Sequence, residues 1–171
     1  TGSGRMKLKK LTMTAIFGCL ALIIFIVEAQ LPPVWIPGIK LGLSNVVILI
    51  AILFGGHSVG AGVLLIKVIL GAVFCGTVMS FAFSLCGGLL AYIVMCIALR
   101  FIGRKQIWVI SIFGAISHST GQLIIASVMI ENVNAFVLLP VMVIASILTG
   151  FFTGLSVQYL WSSPLQKFRL K

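Results

Sequence analysis

The sequence contains no aspartate and only two glutamates, Glu28 and Glu131, against twelve lysines and arginines. Enzymes that handle phosphate groups with magnesium hold the metal largely through carboxylates. A chain without aspartate lacks the usual ligands, so any such reaction must be carried out by a partner. We therefore expect this chain not to be an enzyme, which leaves binding, transport and assembly as function classes.

Metal-binding residues are also scarce. The histidines are His57 and His118, and the four cysteines lie within apolar stretches and form no Cys-x-x-Cys pair: Cys19, Cys75, Cys86 and Cys96. This pattern predicts neither a zinc site nor a disulfide framework. We expect the cysteines to act as small apolar residues, and we expect no cofactor.

Apolar residues, in contrast, dominate the chain, at 61% of the sequence with a mean hydropathy of +1.28. Runs of about twenty apolar residues recur, as in proteins embedded in a lipid bilayer. The net charge of +10 would suggest nucleic acid in a soluble protein, but here the cations fall between apolar runs and at the termini. We expect a multi-pass protein of a bacterial cytoplasmic membrane that does not bind nucleic acid.

Apolar length and chain-breaking residues predict an all-α protein with six transmembrane helices in a single domain over residues 6–171. Residues 1–5 resemble a cloning remnant before a start at Met6. The sequence Gly55-Gly56-His57-Ser58 divides one long apolar stretch into two spans; the alternative is five helices with a re-entrant segment. The expected spans are roughly 11–30, 40–55, 58–76, 81–102, 107–130 and 135–161.

The distribution of charge supports an even number of spans. Nine cations fall on one side of the six-span arrangement and Lys40 falls on the other, with Glu28 and Glu131. Cytoplasmic loops carry an excess of lysine and arginine, so both termini are expected in the cytoplasm. The nine are Lys7, Lys9, Lys10, Arg100, Arg104, Lys105, Lys167, Arg169 and Lys171.

Small residues at helical spacing indicate where helices pack closely. Ser146, Gly150 and Gly154 recur at every fourth position of the last span. The first span carries a second strip of four small residues: Thr14, Ala15, Gly18 and Cys19. For any one strip, packing within the chain is favoured over an interface with another chain.

Lys67 lies near the middle of the third span, where a lysine costs about 3 kcal/mol on insertion scales. It therefore needs an anion, carbonyl groups or a wet cavity. We favour contact with a ligand or counter-ion. The alternatives are a lysine that extends toward the membrane surface or a structural pair with Glu28.

Further polar residues map with Lys67 to the outer half of the predicted bundle: Glu28, Lys40, Asn45, Ser84, His118 and Gln122. Together they predict a polar cavity open to the outside that binds an anionic ligand with an apolar body. His118 and Gln122 are four residues apart and share one helix face. An interior histidine is more often part of a structural hydrogen bond than a ligand-binding group, and Ser84 can bond its own helix backbone.

Four segments resemble the Gx transporter family, which is also labelled heptaprenyl diphosphate synthase component I: residues 36–45, 76–77, 84–88 and 114–123. The most specific element is Pro-Gly-x-Lys-Leu-Gly-Leu-x-Asn, at Pro37 to Asn45. The family is similar to the substrate-binding S components of energy-coupling factor transporters. That resemblance implies a six-helix bundle with an outward cavity. It also implies that Thr14, Ala15, Gly18 and Cys19 meet a membrane coupling subunit that carries ATPases.

The resemblance supports two main functions. As an S component, the chain would bind an isoprenoid phosphate, a quinone precursor or a flavin, with Lys67 and Lys40 holding the anion and Asn45, His118 and Gln122 donating or accepting hydrogen bonds. As component I, it would be a non-catalytic membrane partner of a prenyltransferase in quinone biosynthesis. A membrane component of flavin- or quinone-linked electron transfer is a further alternative, although the sequence has no haem, cluster or flavin motif.

Overall fold

The computed structural model of the chain describes residues 2–30, 42–75, 78–131 and 133–163, with side chains described from Gly4 and not for residues 75 and 133–135. Lys40 and the cations Lys167, Arg169 and Lys171 therefore lie outside the described residues. Across the described ranges the protein is helical and contains no strand. The helices are α1 (Gly2–Gln30), α2 (Asn45–Gly55), α3 (His57–Cys75), α4 (Val78–Ile102), α5 (Ile107–Ile130) and α6 (Leu139–Ser162), with a 3-10 helix at Val133–Leu138 before α6.

Five segments of the described chain are long and apolar enough to cross a membrane: Gly4–Gln30, His57–Phe74, Val78–Ile102, Ile107–Ile130 and Phe136–Ser162. The protein is thus a multi-pass helical membrane protein. The second expected span differs, because α2 has only 11 residues and begins at Asn45. Eleven residues rise about 16 Å, roughly half the hydrocarbon thickness. Six spans with cytoplasmic termini therefore remain a prediction, since residues 31–41 precede α2 outside the described part.

The expected break after α2 is confirmed. Gly56 has a φ of 85°, which favours glycine, and its amide donates to the carbonyl of Ile52 at 3.0 Å. The helix therefore ends at Gly55, and α3 begins at His57.

The short helix α2 forms the centre of the bundle. Nine of its eleven residues are buried, and it contacts α1, α3, α4, α5 and α6. A helix that is apolar on all faces is stable only when other elements surround it. Its polar first residue, Asn45, is 5% exposed and is thereby carried into the interior.

Close contacts at glycines give the helix directions. A Cβ atom on Gly18 of α1 would contact Ile66 of α3, and a Cβ atom on Gly71 of α3 would contact Phe25 of α1. Later residues of α1 thus meet later residues of α3, so the two helices run parallel. The pairs α2–α3, α3–α4, α4–α5 and α5–α6 run antiparallel.

One end of the bundle therefore holds the start of α1, the turn between α2 and α3, the α4–α5 turn and the end of α6. We call it the charged end, because it carries the described cations apart from Lys67: Arg5, Lys7, Lys9, Lys10, Arg100, Arg104 and Lys105. Glu28 and Glu131 lie toward the opposite end, near the ends of α1 and α5. The described cations other than Lys67 therefore lie at one end of the bundle, which is consistent with the loop charges.

The small-residue strip on α6 packs within the chain, as favoured above. A Cβ atom on Gly150 would lie 2.8 Å from Cα of Ile112, and one on Gly154 would lie 2.6 Å from Cα of Trp108. The hydroxyl oxygens of Ser146 and Ser119 lie 2.6 Å apart in the same interface. In lipid, such close backbone approach stabilises helix pairs because it adds van der Waals and hydrogen-bond contacts.

We predict that Gly154→Leu lowers the free energy of unfolding by about 3 kcal/mol, since the new side chain meets backbone that cannot move aside without separating α5 from α6. Thermal unfolding in detergent, followed by circular dichroism, measures the effect. Gly4→Leu is the control, because nothing lies within 4 Å of a Cβ atom at Gly4. Equal stability of the two variants would contradict the α5–α6 packing described here.

Candidate functional site

The buried ammonium of Lys67 is the starting point of the candidate site. Lys67 is 1% exposed, and its Nζ donates to Oδ1 of Asn45 at 2.7 Å. It lies ten residues after the start of α3 and eight before its end, or about 15 and 12 Å along the axis. The charge is therefore placed near the middle of the bundle, where it needs polar partners.

This contact also fixes the orientation of the Asn45 side chain. A lysine ammonium has only donors, so the amide oxygen must face it and the amide nitrogen must point elsewhere. Nδ2 is buried, has no hydrogen-bond partner among the described residues, and lies 3.0 Å from the position of a Cβ atom on Gly42. A buried donor without an acceptor costs roughly 1–3 kcal/mol. An oxygen atom of a ligand would therefore be stabilised beside it.

Glu28 holds the segment that leads into α2. Its carboxylate is 5% exposed, and Oε1 accepts hydrogen bonds from the backbone amides of Gly42 and of Leu43, the latter at 3.3 Å. Residues 42–45 thus connect the two buried charges, because Glu28 binds the amides at one end and Lys67 binds Asn45 at the other. Glu28 thereby positions Asn45.

His118 lies between α4 and this same segment. It is 3% exposed; a Cβ atom on Gly42 would lie 2.6 Å from its Cδ2, and one on Gly87 would lie 2.8 Å from its Nδ1. Gly42 also has a φ of 79°, which disfavours other residues. Any side chain at Gly42 or Gly87 would displace the imidazole.

A glycine also lies beside the ammonium. A Cβ atom on Gly88 would lie 3.9 Å from Nζ of Lys67 and 2.7 Å from Cδ1 of Leu64. The consecutive glycines of α4 therefore allow its backbone to approach both the lysine and the histidine. We call Glu28, Asn45, Lys67 and His118 the Lys67 cluster.

Four of the predicted site residues are thus brought together in the Lys67 cluster. Gln122 and Ser84 are also buried, at 1% and 3% exposed, one turn from His118 on α5 and one turn before Gly88 on α4. No role was predicted from the sequence for Gly42, Gly87 and Gly88, although all three lie in the segments that carry the family resemblance. Lys40, in the same segment as Gly42, lies outside the described residues.

A cavity of about 20 Å³ adjoins the cluster, with Gly42, Asn45, Ser111 and Thr153 in its lining. This volume has room for about one water molecule. A larger ligand would need the wall of the cavity to move. The outward opening of the cavity therefore remains a prediction.

The small-residue strip of α1 divides between two faces. A Cβ atom on Gly18 would lie 2.9 Å from Cδ1 of Ile66, and Cγ2 of Thr14 lies 2.7 Å from the corresponding position on Gly62. Those two residues face α3, whereas Ala15 and Cys19 are exposed. Only the exposed pair is placed where another subunit could contact it.

Within the described ranges, no three of the histidine, cysteine, aspartate and glutamate side chains lie close enough to hold a metal ion. The Lys67 cluster contains one ammonium, one carboxylate, one amide and one imidazole. Such a set can bind an anion through charge and directional hydrogen bonds in a low-dielectric interior.

Comparison with known proteins places the chain in a family. The model of the family described as heptaprenyl diphosphate synthase component I matches residues 17–160, from α1 into α6 and across the whole Lys67 cluster. No curated protein and no solved structure matches the chain. Because the match covers most of the sequence, the chain belongs to the heptaprenyl diphosphate synthase component I family.

Proposed function

We propose that the chain is the substrate-binding membrane subunit of an energy-coupling factor type transporter, and that the Lys67 cluster binds an anionic, partly apolar small molecule. The observation that supports this most directly is the Lys67–Asn45 contact. It places a positive charge near mid-bundle beside an amide donor that has no acceptor among the described residues. The resemblance to S components supplies the transporter context.

Binding would use three features of the cluster. The ammonium of Lys67 would attract the anionic group, because charge interactions strengthen in a low-dielectric interior. Nδ2 of Asn45 would donate a directional hydrogen bond, and the imidazole of His118, which lies against Gly42 and Gly87, would offer a further polar group. Lys40 would add a second positive charge. Isoprenoid phosphates, quinone precursors and flavins share this combination of an anion with an apolar body.

Transport would require a coupling partner, because the sequence has no Gly-x-x-x-x-Gly-Lys loop for ATP. Ala15 and Cys19 form the exposed half of the α1 strip and are our candidates for contact with a membrane coupling subunit. Thr14 and Gly18 would support that surface from behind by packing on α3.

The description of the family favours a second candidate function. Component I of a heptaprenyl diphosphate synthase would be a non-catalytic membrane partner of a prenyltransferase. The absence of aspartate fits a partner better than a catalyst. The two candidates share an isoprenoid-like ligand and differ in the protein that binds the chain.

We predict that Lys67→Met removes one binding site for farnesyl diphosphate per chain, with a loss of affinity of about a hundredfold at that site. Methionine keeps the length of the side chain in an apolar setting, so the protein should stay folded. Equilibrium dialysis of radiolabelled farnesyl diphosphate with purified protein in detergent measures the number of sites. Lys105→Met, which removes an exposed cation at the α4–α5 turn, is the control. An unchanged number of sites in Lys67→Met would refute the proposed role of the cluster.

A second prediction separates ligand binding from structural support. Asn45→Asp keeps the shape of the side chain and its contact with Lys67, but it removes the amide donor and neutralises the local charge. We expect an unfolding temperature at least equal to that of the native chain, with loss of the same farnesyl diphosphate site. If the variant binds farnesyl diphosphate as the native chain does, Asn45 serves only to hold Lys67.

A third prediction tests the partner. Isolation of the native chain from its own membranes in mild detergent, followed by mass spectrometry, should recover a membrane coupling subunit with paired ATPases. Ala15→Trp should abolish that recovery because the bulky ring occupies the exposed strip. Leu155→Trp, on the exposed face of α6, should not. Recovery of a prenyltransferase without ATPases would instead establish the accessory function.

A further inference from the structure

A second and much larger cavity lies at the charged end of the bundle. Its volume is about 730 Å³, within the range of roughly 300–1,000 Å³ typical of small-molecule sites. It lies between the end of α2, the start of α3 and the last turns of α4. Its nearest α2 residue, Ile52, is seven residues from Asn45, or about 10 Å along the helix. The cavity is therefore distinct from the Lys67 cluster. Its lining residues are Ile52, Leu53, Gly56, His57, Tyr92, Ile93, Cys96, Ile97, Leu99, Arg100 and Arg104.

The lining has an apolar part and a cationic part. Ile52 and Leu53 are 3% and 1% exposed and form a wall fixed in the core, and Ile93 and Ile97 of α4 extend the apolar surface. Arg100 and Arg104 are exposed and lie at the end of α4 and in the turn that follows it. The lining includes no carboxylate. The cavity is thus complementary to an amphiphile with an anionic head and an apolar chain.

The arginine side of the cavity is held by aromatic contacts. Cζ of Arg104 lies 5.4 Å from the centroid of the Trp161 ring, and that ring packs edge-on against Phe54 with a centroid distance of 5.4 Å. Phe54 is 6% exposed, so the stack is anchored in the core. A cation held over an aromatic face needs less ordering when it binds a ligand.

The opposite side is held by polar contacts to the α2–α3 turn. The hydroxyl of Tyr92 donates to the carbonyl oxygen of His57 at 2.9 Å, and Nδ1 of His57 lies 3.2 Å from Sγ of Cys96. These contacts fix the turn to α4 across the cavity. They also place the Cys96 thiol in the lining, where a ligand would cover it.

We propose that this cavity binds a phosphate-bearing amphiphile, with Arg100 and Arg104 on the phosphate oxygens and the apolar chain along Ile52, Ile93 and Ile97. Arginine binds phosphate through parallel N–H donors, which a lysine cannot reproduce. Two sources carry this chemistry: a phospholipid of the surrounding leaflet, and a prenyl diphosphate. The site is independent of ligand binding at the Lys67 cluster.

The test measures how fast the thiol of Cys96 is alkylated. Purified full-length protein in detergent is treated with N-ethylmaleimide, and peptide mass spectrometry reports the labelling of Cys96 and of Cys19, which is exposed on α1 and serves as an internal control. Three probes are titrated separately: farnesyl diphosphate, dihexanoyl phosphatidylglycerol and farnesol. We expect a phosphate-bearing probe to slow labelling at Cys96 at least tenfold and to leave Cys19 unchanged.

Variants assign the effect to the arginines. In Arg100→Gln/Arg104→Gln, the probe concentration for half-protection should rise about a hundredfold, since each charged hydrogen bond contributes about tenfold. Arg100→Gln alone should raise it about tenfold, which keeps the test valid if the double variant is poorly folded. Lys105→Gln should behave as the native chain. Lys67→Met should also leave Cys96 protection intact, so failure at either site is distinguishable from failure at the other.

The probes separate the sources. Protection by farnesyl diphosphate alone would identify a prenyl diphosphate site, and protection by phosphatidylglycerol would identify a lipid headgroup site. Equal protection by farnesol would overturn the proposal, because it would show that the arginines do not recognise the phosphate. Absence of protection by any probe, or unchanged half-protection in the arginine variants, would overturn it as well.

Discussion

Burial of the Lys67 ammonium is the constraint around which the polar interior is arranged. An ammonium near the middle of a membrane bundle needs an oxygen partner, and the partner here is the first residue of a helix only 11 residues long. The first residue of a helix that crossed the whole bilayer would lie at the membrane surface. The short α2, surrounded by five other helices, instead delivers the Asn45 amide to the depth of Lys67. Glu28 stabilises that arrangement because it binds the amides just before α2.

Glycine makes this polar interior possible. A side chain at Gly42 or Gly87 would collide with His118, and one at Gly88 would contact Leu64 beside the Lys67 ammonium. Glycine also allows α5 and α6 to pack closely at Gly150 and Gly154, where the contacts involve backbone atoms. At Gly150 and Gly154 the close approach packs two helices together, and at Gly42 and Gly87 it leaves room for the imidazole of His118. We therefore expect a substitution at Gly150 or Gly154 to separate α5 from α6, and one at Gly42 or Gly87 to displace His118.

Much of this arrangement could be predicted from the sequence, and the failures have physical causes. The apolar runs and the break at Gly55–Gly56 predicted where the helices begin and end. The loop charges predicted that the cationic helix ends lie on one side. Both signals are local properties of the sequence. The length of α2 could not be predicted from the sequence. An apolar stretch has the same pattern in a transmembrane helix as in a short helix that is surrounded by protein. The roles of Gly42 and Gly87 depend on the position of His118, a tertiary contact. For the same reason, the α1 strip divides into Gly18 against α3 and an exposed Cys19.

The scarcity of carboxylates bears on both candidate sites, because each site contains buried or clustered positive charge. A free carboxylate near Lys67 or near Arg100 and Arg104 would compete with an anionic ligand for the cation. Glu28, the carboxylate in the Lys67 cluster, accepts hydrogen bonds from two backbone amides, which stabilise its charge. Glu131 lies at the end of the bundle opposite the arginines. Because both candidate sites combine a cation with apolar residues, we propose an amphiphilic anion as the class of molecule that each would bind, at two depths of the same bundle.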